Sequence, residues 1–245
     1  MARCRGQTGP VPAPSPNKTV EACGDATRFA ADGAQRLAGA SCALLGDIDR
    51  LIAWLPQDRP GLRLKGLPEL DALLGPAGAV GRMIGPFAGD GARPVRAILF
   101  DKNPATNWSL AWHQDRTICV RERRDVPGFG PWTVKSGLLH VAPPFELLER
   151  MVTIRIHLDD VPEDNAPLLI APGSHRFGPV REEAIEGAVA ACGVHVCTAR
   201  AGDIWVYATP ILHASDAASN PRARRVLQAD YAGFDLPGGL EWSGI

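Results

Sequence analysis

Residues 151–158 alternate so regularly that they fit a strand with two unlike faces. Val152, Ile154, Ile156 and Leu158 form one row, and Thr153, Arg155 and His157 form the other. The last strand-like run repeats the arrangement: Arg224, Val226 and Gln228 share one side, while Leu227, Ala229 and Tyr231 share the other. A segment of this kind requires a sheet with one apolar face lying beneath a second layer. Further short apolar runs stand at 95–100, 118–120, 168–170, 194–197 and 204–208, with turns between them that draw on a high content of glycine (26) and proline (22). Ahead of the strands, Phe29, Leu37, Leu44, Leu45, Ile48, Leu51, Ile52 and Leu55 recur at near-helical spacing. Gly33, Gly39 and Gly46 interrupt them, which predicts two helices or a helix with a strand between, ended by Pro56 and Pro60. Residues 67–74 behind Pro68 and residues 78–84 predict further helical turns, 145–150 a single turn, and 181–191 a surface helix. Helices first and short strands afterwards predict a mainly β fold with packed helices, a barrel or jelly roll.

A chain of 245 residues of this type folds as one domain, here residues 23–245, preceded by a Pro-rich leader over residues 1–22 that is expected to be poorly ordered. The charged, Gly/Pro-rich stretch 121–144 reads as a long loop, and with the following helical turn it makes a 121–150 lid or insertion. A formal net charge of −1 gives no electrostatic case for nucleic acid or a membrane surface. No apolar run approaches the length of a membrane span, and the N-terminus has no apolar signal segment, so a cytoplasmic location is expected. The six cysteines form no CxxC pair and read as free thiols in a reducing compartment. Nothing in the sequence sets the oligomeric state.

The chemistry centres on Trp112-His113-Gln114-Asp115. If this segment is a strand, His113 and Asp115 project to one side and can bind the same metal ion. His213, far along the chain behind a second strand, would complete a 2-His-1-carboxylate triad of the kind that leaves positions open on non-haem Fe(II). A His-x-Asp tripeptide is a weak signal by itself, and a second one stands at His157-Leu158-Asp159. Spacing alone does not choose between them. Composition alone would put the polar rows of both alternating strands in solvent and the apolar rows inside the barrel. His175 and His195 read as structural, and Trp112 and Trp205 as core or wall aromatics.

Several segments taken in order resemble the phytanoyl-CoA dioxygenase family of Fe(II)/2-oxoglutarate oxygenases. They are residues 112–115, the run from Leu158-Asp159-Asp160 through Asp164-Asn165-Ala166-Pro167-Leu168 to Pro172-Gly173-Ser174-His175, then Gly202-Asp203, His213-Ala214-Ser215, and the strand led by Arg224. The resemblance covers about residues 95–232 and implies a double-stranded β-helix, the jelly roll of cupin-like barrels. It assigns the metal to His113, Asp115 and His213, and turns the Thr153/Arg155/His157 row inward with the apolar row beneath the N-terminal helices. Ala166 stands where the family often has glycine, a departure expected to touch the turn and not the chemistry.

The implied cofactors are Fe(II) and the co-substrate 2-oxoglutarate, with O₂ and a small-molecule substrate as reaction partners. Iron, Asp115 and the 2-oxoglutarate dianion sum to −1, which one buried arginine neutralises with a bidentate fork; Arg224 matches that position. Ser215 matches a hydroxyl able to bond the same carboxylate, and Lys102 offers a second cation. Arg222 and Arg225 read as surface charges. Substrate choice is expected to lie with Arg155, His157, Trp132 and His140, Arg155 holding a substrate anion or 2-oxoglutarate itself. Related halogenases lack the carboxylate ligand, so Asp115 favours hydroxylation, with succinate and CO₂ as products. Two alternatives stand beside this reading: a non-catalytic cupin-like protein that binds metal or small molecules, and a metal-dependent hydrolase or isomerase that uses the histidines without Arg224.

Overall fold

The structure, a computed structural model, describes residues 28–56 and 61–245. The expected leader, Cys4, Cys23 and Pro60 lie outside the described residues. The elements run α1 (Phe29–Asp32), β1 (Ala34–Leu37), α2 (Leu45–Ile52), β2 (Gly61–Leu64), α3 (Pro68–Leu74), α4 (Ala79–Ala88), β3 (Arg93–Lys102), β4 (Leu110–His113), β5 (Ile118–Val120), β6 (Trp132–Lys135) and β7 (Leu138–Val141). They continue with α5 (Phe145–Glu149), β8 (Val152–His157), β9 (Leu168–Ile170), α6 (Ile185–Cys192), β10 (His195–Cys197), β11 (Ile204–Ala208), β12 (His213–Ser215) and β13 (Arg224–Ala232). Of the two readings open for the N-terminal stretch, the helix with a strand between is the one that forms. Gly33 makes the break at φ +74°, where a side chain would also strike the ring of His175.

A six-stranded antiparallel sheet, in the order β1-β11-β8-β13-β3-β2, is the main layer, accompanied by a four-stranded sheet, β10-β9-β12-β4. This is the double-stranded β-helix architecture. The outer face of the large sheet is apolar because α2, α3 and α4 each turn one i, i+4 pair towards it: Ile48 and Ile52, Leu70 and Leu74, Val80 and Ile84. Those pairs share one core with Val152, Ile154, Ile156 and Leu158, and with Leu227, Ala229 and Tyr231. The inward reading of the polar rows therefore holds, and the solvent reading suggested by composition does not. Tyr231 stays in the apolar row by donating its hydroxyl to the Leu74 carbonyl at 2.8 Å, at the end of α3.

A third sheet, β5-β7-β6, joins the expected strand at 118–120 to two strands, β6 and β7, in the stretch expected to be a loop. β6 and β7 are joined by Ser136-Gly137, both at positive φ (50° and 77°), a two-residue hairpin turn whose Ser-Gly signal the sequence carried. Two of its strands have only 4 residues, too short for alternation to show among the surrounding charges. Cys42, Cys119, Cys192 and Cys197 are free thiols. Among the described residues, no helix is long and apolar enough to cross a membrane.

Ile154 is completely buried where helices and sheet meet. Ile154→Ala is expected to lower the unfolding free energy by about 2–5 kcal/mol, read from the shift in urea midpoint at unchanged slope.

Candidate active site

β4 and β12 pair antiparallel with His113 directly opposite His213, so the two imidazoles lie on one face with ring centroids 4.3 Å apart. β4 ends at His113, and Asp115 sits two residues beyond it in the following turn. Strand alternation therefore does not align the tripeptide; the turn does. Ligand atoms of His113, Asp115 and His213 all lie within 4.8 Å of one another, the spacing of three donors around one ion. Gln114, between them, points elsewhere and stitches two loops: its amide nitrogen donates to Gly178 and Pro210 carbonyls at 3.0 and 2.8 Å, and its oxygen accepts from Val180 N–H at 2.8 Å.

The imidazoles are presented alike. Nδ1 of His113 is 2.8 Å from the Ala111 carbonyl and Nδ1 of His213 is 2.9 Å from that of Ile211. A carbonyl only accepts, so both Nδ1 atoms carry the proton and both Nε2 lone pairs are free for a metal. Burial pushes His213 down to about 4, which keeps it neutral as a ligand must be. Burial opposes ionisation of Asp115, but Arg96, His213 and His113 outweigh it and hold the carboxyl below its ordinary range. Arg96 lies 3.5 Å from Asp115 Oδ2 and also bonds Asp230 through Nε. Asp230 accepts in turn from Thr153 Oγ1 at 3.2 Å.

The inner face of the large sheet leads away from this centre as a ladder of cross-strand pairs. Asp230 faces Arg96 on one side and Thr153 on the other, Gln228 faces Arg155, and Arg224 faces Lys102. Arg155 Nε donates to Gln228 Oε1 at 3.1 Å, with the guanidinium 5.4 Å from the Phe100 ring. Lys102 Nζ donates to the Trp108 carbonyl at 2.8 Å and to Ser215 Oγ at 3.1 Å. Burial, Arg224 and Arg155 push it down to about 8. Arg224 donates through Nη1 to the Ala166 carbonyl, and its buried Nε has no partner. Ala166 itself adopts φ +53°, which explains the family's glycine. The turn's carbonyl steadies Arg224, an acceptor that glycine and alanine supply alike. Both ring nitrogens of His157 are buried without a partner, and burial, Arg155 and Arg224 push it down to about 3.

The structure thus brings together His113, Asp115 and His213, and sets Lys102, Arg155, His157 and Arg224 along the inner face of the large sheet, with Ser215 of β12 bonded to Lys102. It separates the second His-x-Asp: His157 turns inward, while Asp159 holds Arg225 at 3.0 and 2.8 Å. Arg225 and Arg222, which pairs with Asp164 at 2.5 Å, are surface ion pairs. Trp132 packs in the apolar cluster of the third sheet, with Arg123 5.5 Å above its ring. His140 is fully buried, 2.9 Å from Cys119 Sγ and 3.0 Å from the Leu138 carbonyl. Neither touches the triad. Nothing in the sequence singles out Arg96 or Asp230, although Asp230 continues the row of Arg224, Val226 and Gln228.

A sequence signature of the phytanoyl-CoA dioxygenase family matches residues 86–226, more than half of the chain and all of the triad. The chain belongs to the phytanoyl-CoA dioxygenase family. Solved structures with the same fold include EctD from S. alaskensis with 2-oxoglutarate and 5-hydroxyectoine, at 18% identity over 89% of this chain and 77% of that one, with a TM-score of 0.61. HygX from Streptomyces hygroscopicus with nickel and 2-oxoglutarate is 15% identical over 83% and 84% of the two chains, with a TM-score of 0.53. AviO1 from Streptomyces viridochromogenes Tue57 is 21% identical over 86% and 93%, with a TM-score of 0.53. A search of curated proteins found no match. Membership makes this chain a dioxygenase of the Fe(II)/2-oxoglutarate class.

Two outcomes are expected. His113→Ala and His213→Ala abolish Ni(II) binding in calorimetry while His157→Ala leaves it, since only the first two share the triad. The unfolded chain takes up a proton on His157 near 6.5, whereas the folded protein refuses it until about 3. Stability therefore falls as pH drops through that window, His213 adding to it, and urea titrations of His157→Gln should show a shallower fall.

Proposed function

We propose that this protein hydroxylates a small molecule with Fe(II) as metal and 2-oxoglutarate and O₂ as co-substrates, releasing succinate and CO₂. The observation that carries the reading is the pairing of an Nε2, Nε2, carboxylate donor set with a buried cationic end that has no carboxylate partner among the described residues. Three nitrogens there, Arg224 Nε and both of His157, are buried and unpartnered, as expected of a pocket built for a polar guest. EctD and HygX were each solved with 2-oxoglutarate, and HygX also with iron, which accords with this assignment.

In this reading His113 and His213 give their Nε2 lone pairs and Asp115 one oxygen to the metal, while Arg96, 3.5 Å from Oδ2, steadies that carboxylate. Arg224 holds the distal carboxylate of 2-oxoglutarate with its planar fork, helped by the Ser215 hydroxyl and by Lys102, which sits directly across the strands. His157 supplies an N–H to the same end. Once bound, iron and 2-oxoglutarate provide oxidative decarboxylation, which places one atom of O₂ in succinate and the other in a C–H bond of the substrate. The walls around Arg224, His157 and Arg155 are almost dry, which strengthens each of these contacts.

A loss of Arg224 removes a charge-assisted bond, so Arg224→Met should weaken 2-oxoglutarate binding by about 10–100-fold. Succinate formation and O₂ uptake, with iron and ascorbate and across a metabolite screen, measure both affinity and turnover. A metal-loaded wild type that neither binds 2-oxoglutarate nor forms succinate would remove the proposal.

A further inference from the structure

Beyond the triad, the charges on the inner face do not balance. Arg96 is matched by Asp230, to which it is bonded. A divalent metal, Asp115 and a 2-oxoglutarate dianion leave one negative charge, which Arg224 cancels. Lys102 and Arg155 then remain, two positive charges with nothing opposite them. Among the described residues, no carboxylate lies within 4.0 Å of the charged nitrogens of Lys102, Arg155 or Arg224. Their exposures are only 6%, 8% and 3%, so water does little to screen them.

The two surplus cations are not equivalent. Lys102 belongs to the co-substrate end: it lies across from Arg224, is tied to Ser215, and its ammonium sits 4.3 Å from the Trp108 ring. Burial and the two arginines bring it to about 8, so it can give up its proton. An arginine has no such escape. Arg155 stands midway along the ladder, its Nε fixed by Gln228, with the Tyr207 hydroxyl as a further hydrogen-bond partner. The Tyr207 ring lies 5.9 Å, centroid to centroid, from that of His213, so one side chain separates Arg155 from the triad. Gln228 and Tyr207 are neutral, so the guanidinium is held in place without being neutralised.

We propose that the primary substrate is a small organic anion, and that Arg155 holds its carboxylate or phosphate beside the metal. This rests on the reading of the site as an iron and 2-oxoglutarate centre. It narrows the substrate to molecules whose negative group anchors them while a nearby C–H faces the reacting centre. Binding then removes a buried imbalance of charge, and neutral analogues of the same shape lack that gain.

The test uses the full chain loaded with Ni(II) and saturated with 2-oxoglutarate, titrated calorimetrically with matched probes: hexanoate against hexanamide, benzoate against benzamide, and phenyl phosphate against phenol. At least one anion should bind about tenfold or more tighter than its neutral partner, the effect of one charge-assisted contact. A phosphate preference assigns a phosphoryl group, a carboxylate preference an acid. Arg155→Gln should erase the discrimination while shifting 2-oxoglutarate affinity by less than about threefold, and Arg155→Lys should recover part of it. Anions that bind no better than their neutral partners overturn the proposal. So does an Arg155→Gln variant that keeps the discrimination and loses 2-oxoglutarate as severely as Arg224→Met, since Arg155 would then serve the co-substrate. A wild type that takes up no 2-oxoglutarate fails at the earlier step, and that result is read before any probe is added.

Discussion

The contact between three amphipathic helices and the outer face of the large sheet makes the site possible. Ile48, Ile52, Leu70, Leu74, Val80 and Ile84 cover the apolar row of β8 and β13, and that burial stabilises the sheet without help from its other face. Each such side chain contributes on the order of 1.5–3 kcal/mol, so one face supplies much of what folding requires. The opposite face is then released from packing duty. It can hold arginine, lysine, histidine and glutamine in positions that would otherwise be too costly to leave polar.

Antiparallel pairing supplies the precision. The β4–β12 register sets His113 opposite His213, and each ring is tied by Nδ1 to a carbonyl two residues earlier, Ala111 within β4 and Ile211 just ahead of β12. Both rings are thereby oriented by backbone, the least mobile partner available. Asp115 lies beyond the strand and has no such tie. Arg96 takes that task, itself anchored to Asp230 and, through it, to Thr153 and Thr209. The metal centre is therefore supported by the large sheet as well as by the small one that bears its histidines.

The cationic end follows a different rule. Arg224, Lys102 and Arg155 are on neighbouring strands: burial and Arg155 lower the proton affinity of Arg224, and burial with both arginines lowers that of Lys102, a cost that folding must overcome. Hydrogen bonds to neutral oxygens, from Ala166, Trp108, Ser215 and Gln228, hold them in place without consuming their charge. Ala166 carries a cost of roughly 1–2 kcal/mol in the left-handed region, because it lacks glycine's freedom. An anion placed there would relieve the repulsion.

The sequence by itself determined which elements form and which side chains travel together. The rows 152/154/156/158 and 153/155/157 were legible because strand geometry has a period of two, and α3 and α4 were announced by Pro68 and by their apolar spacing. Alternation is symmetric and does not say which row faces inward; the resemblance implied the answer, and only the tertiary structure supplies its physical reason, the place where the helices dock. Spacing likewise left His113 and His157 as rivals; the resemblance chose His113, and strand pairing is what brings it to the remote His213. Arg96 and Asp230 show the limit most clearly: each is an ordinary charge in the sequence, and only the β3–β13 register, a long-range contact, makes them a pair behind Asp115.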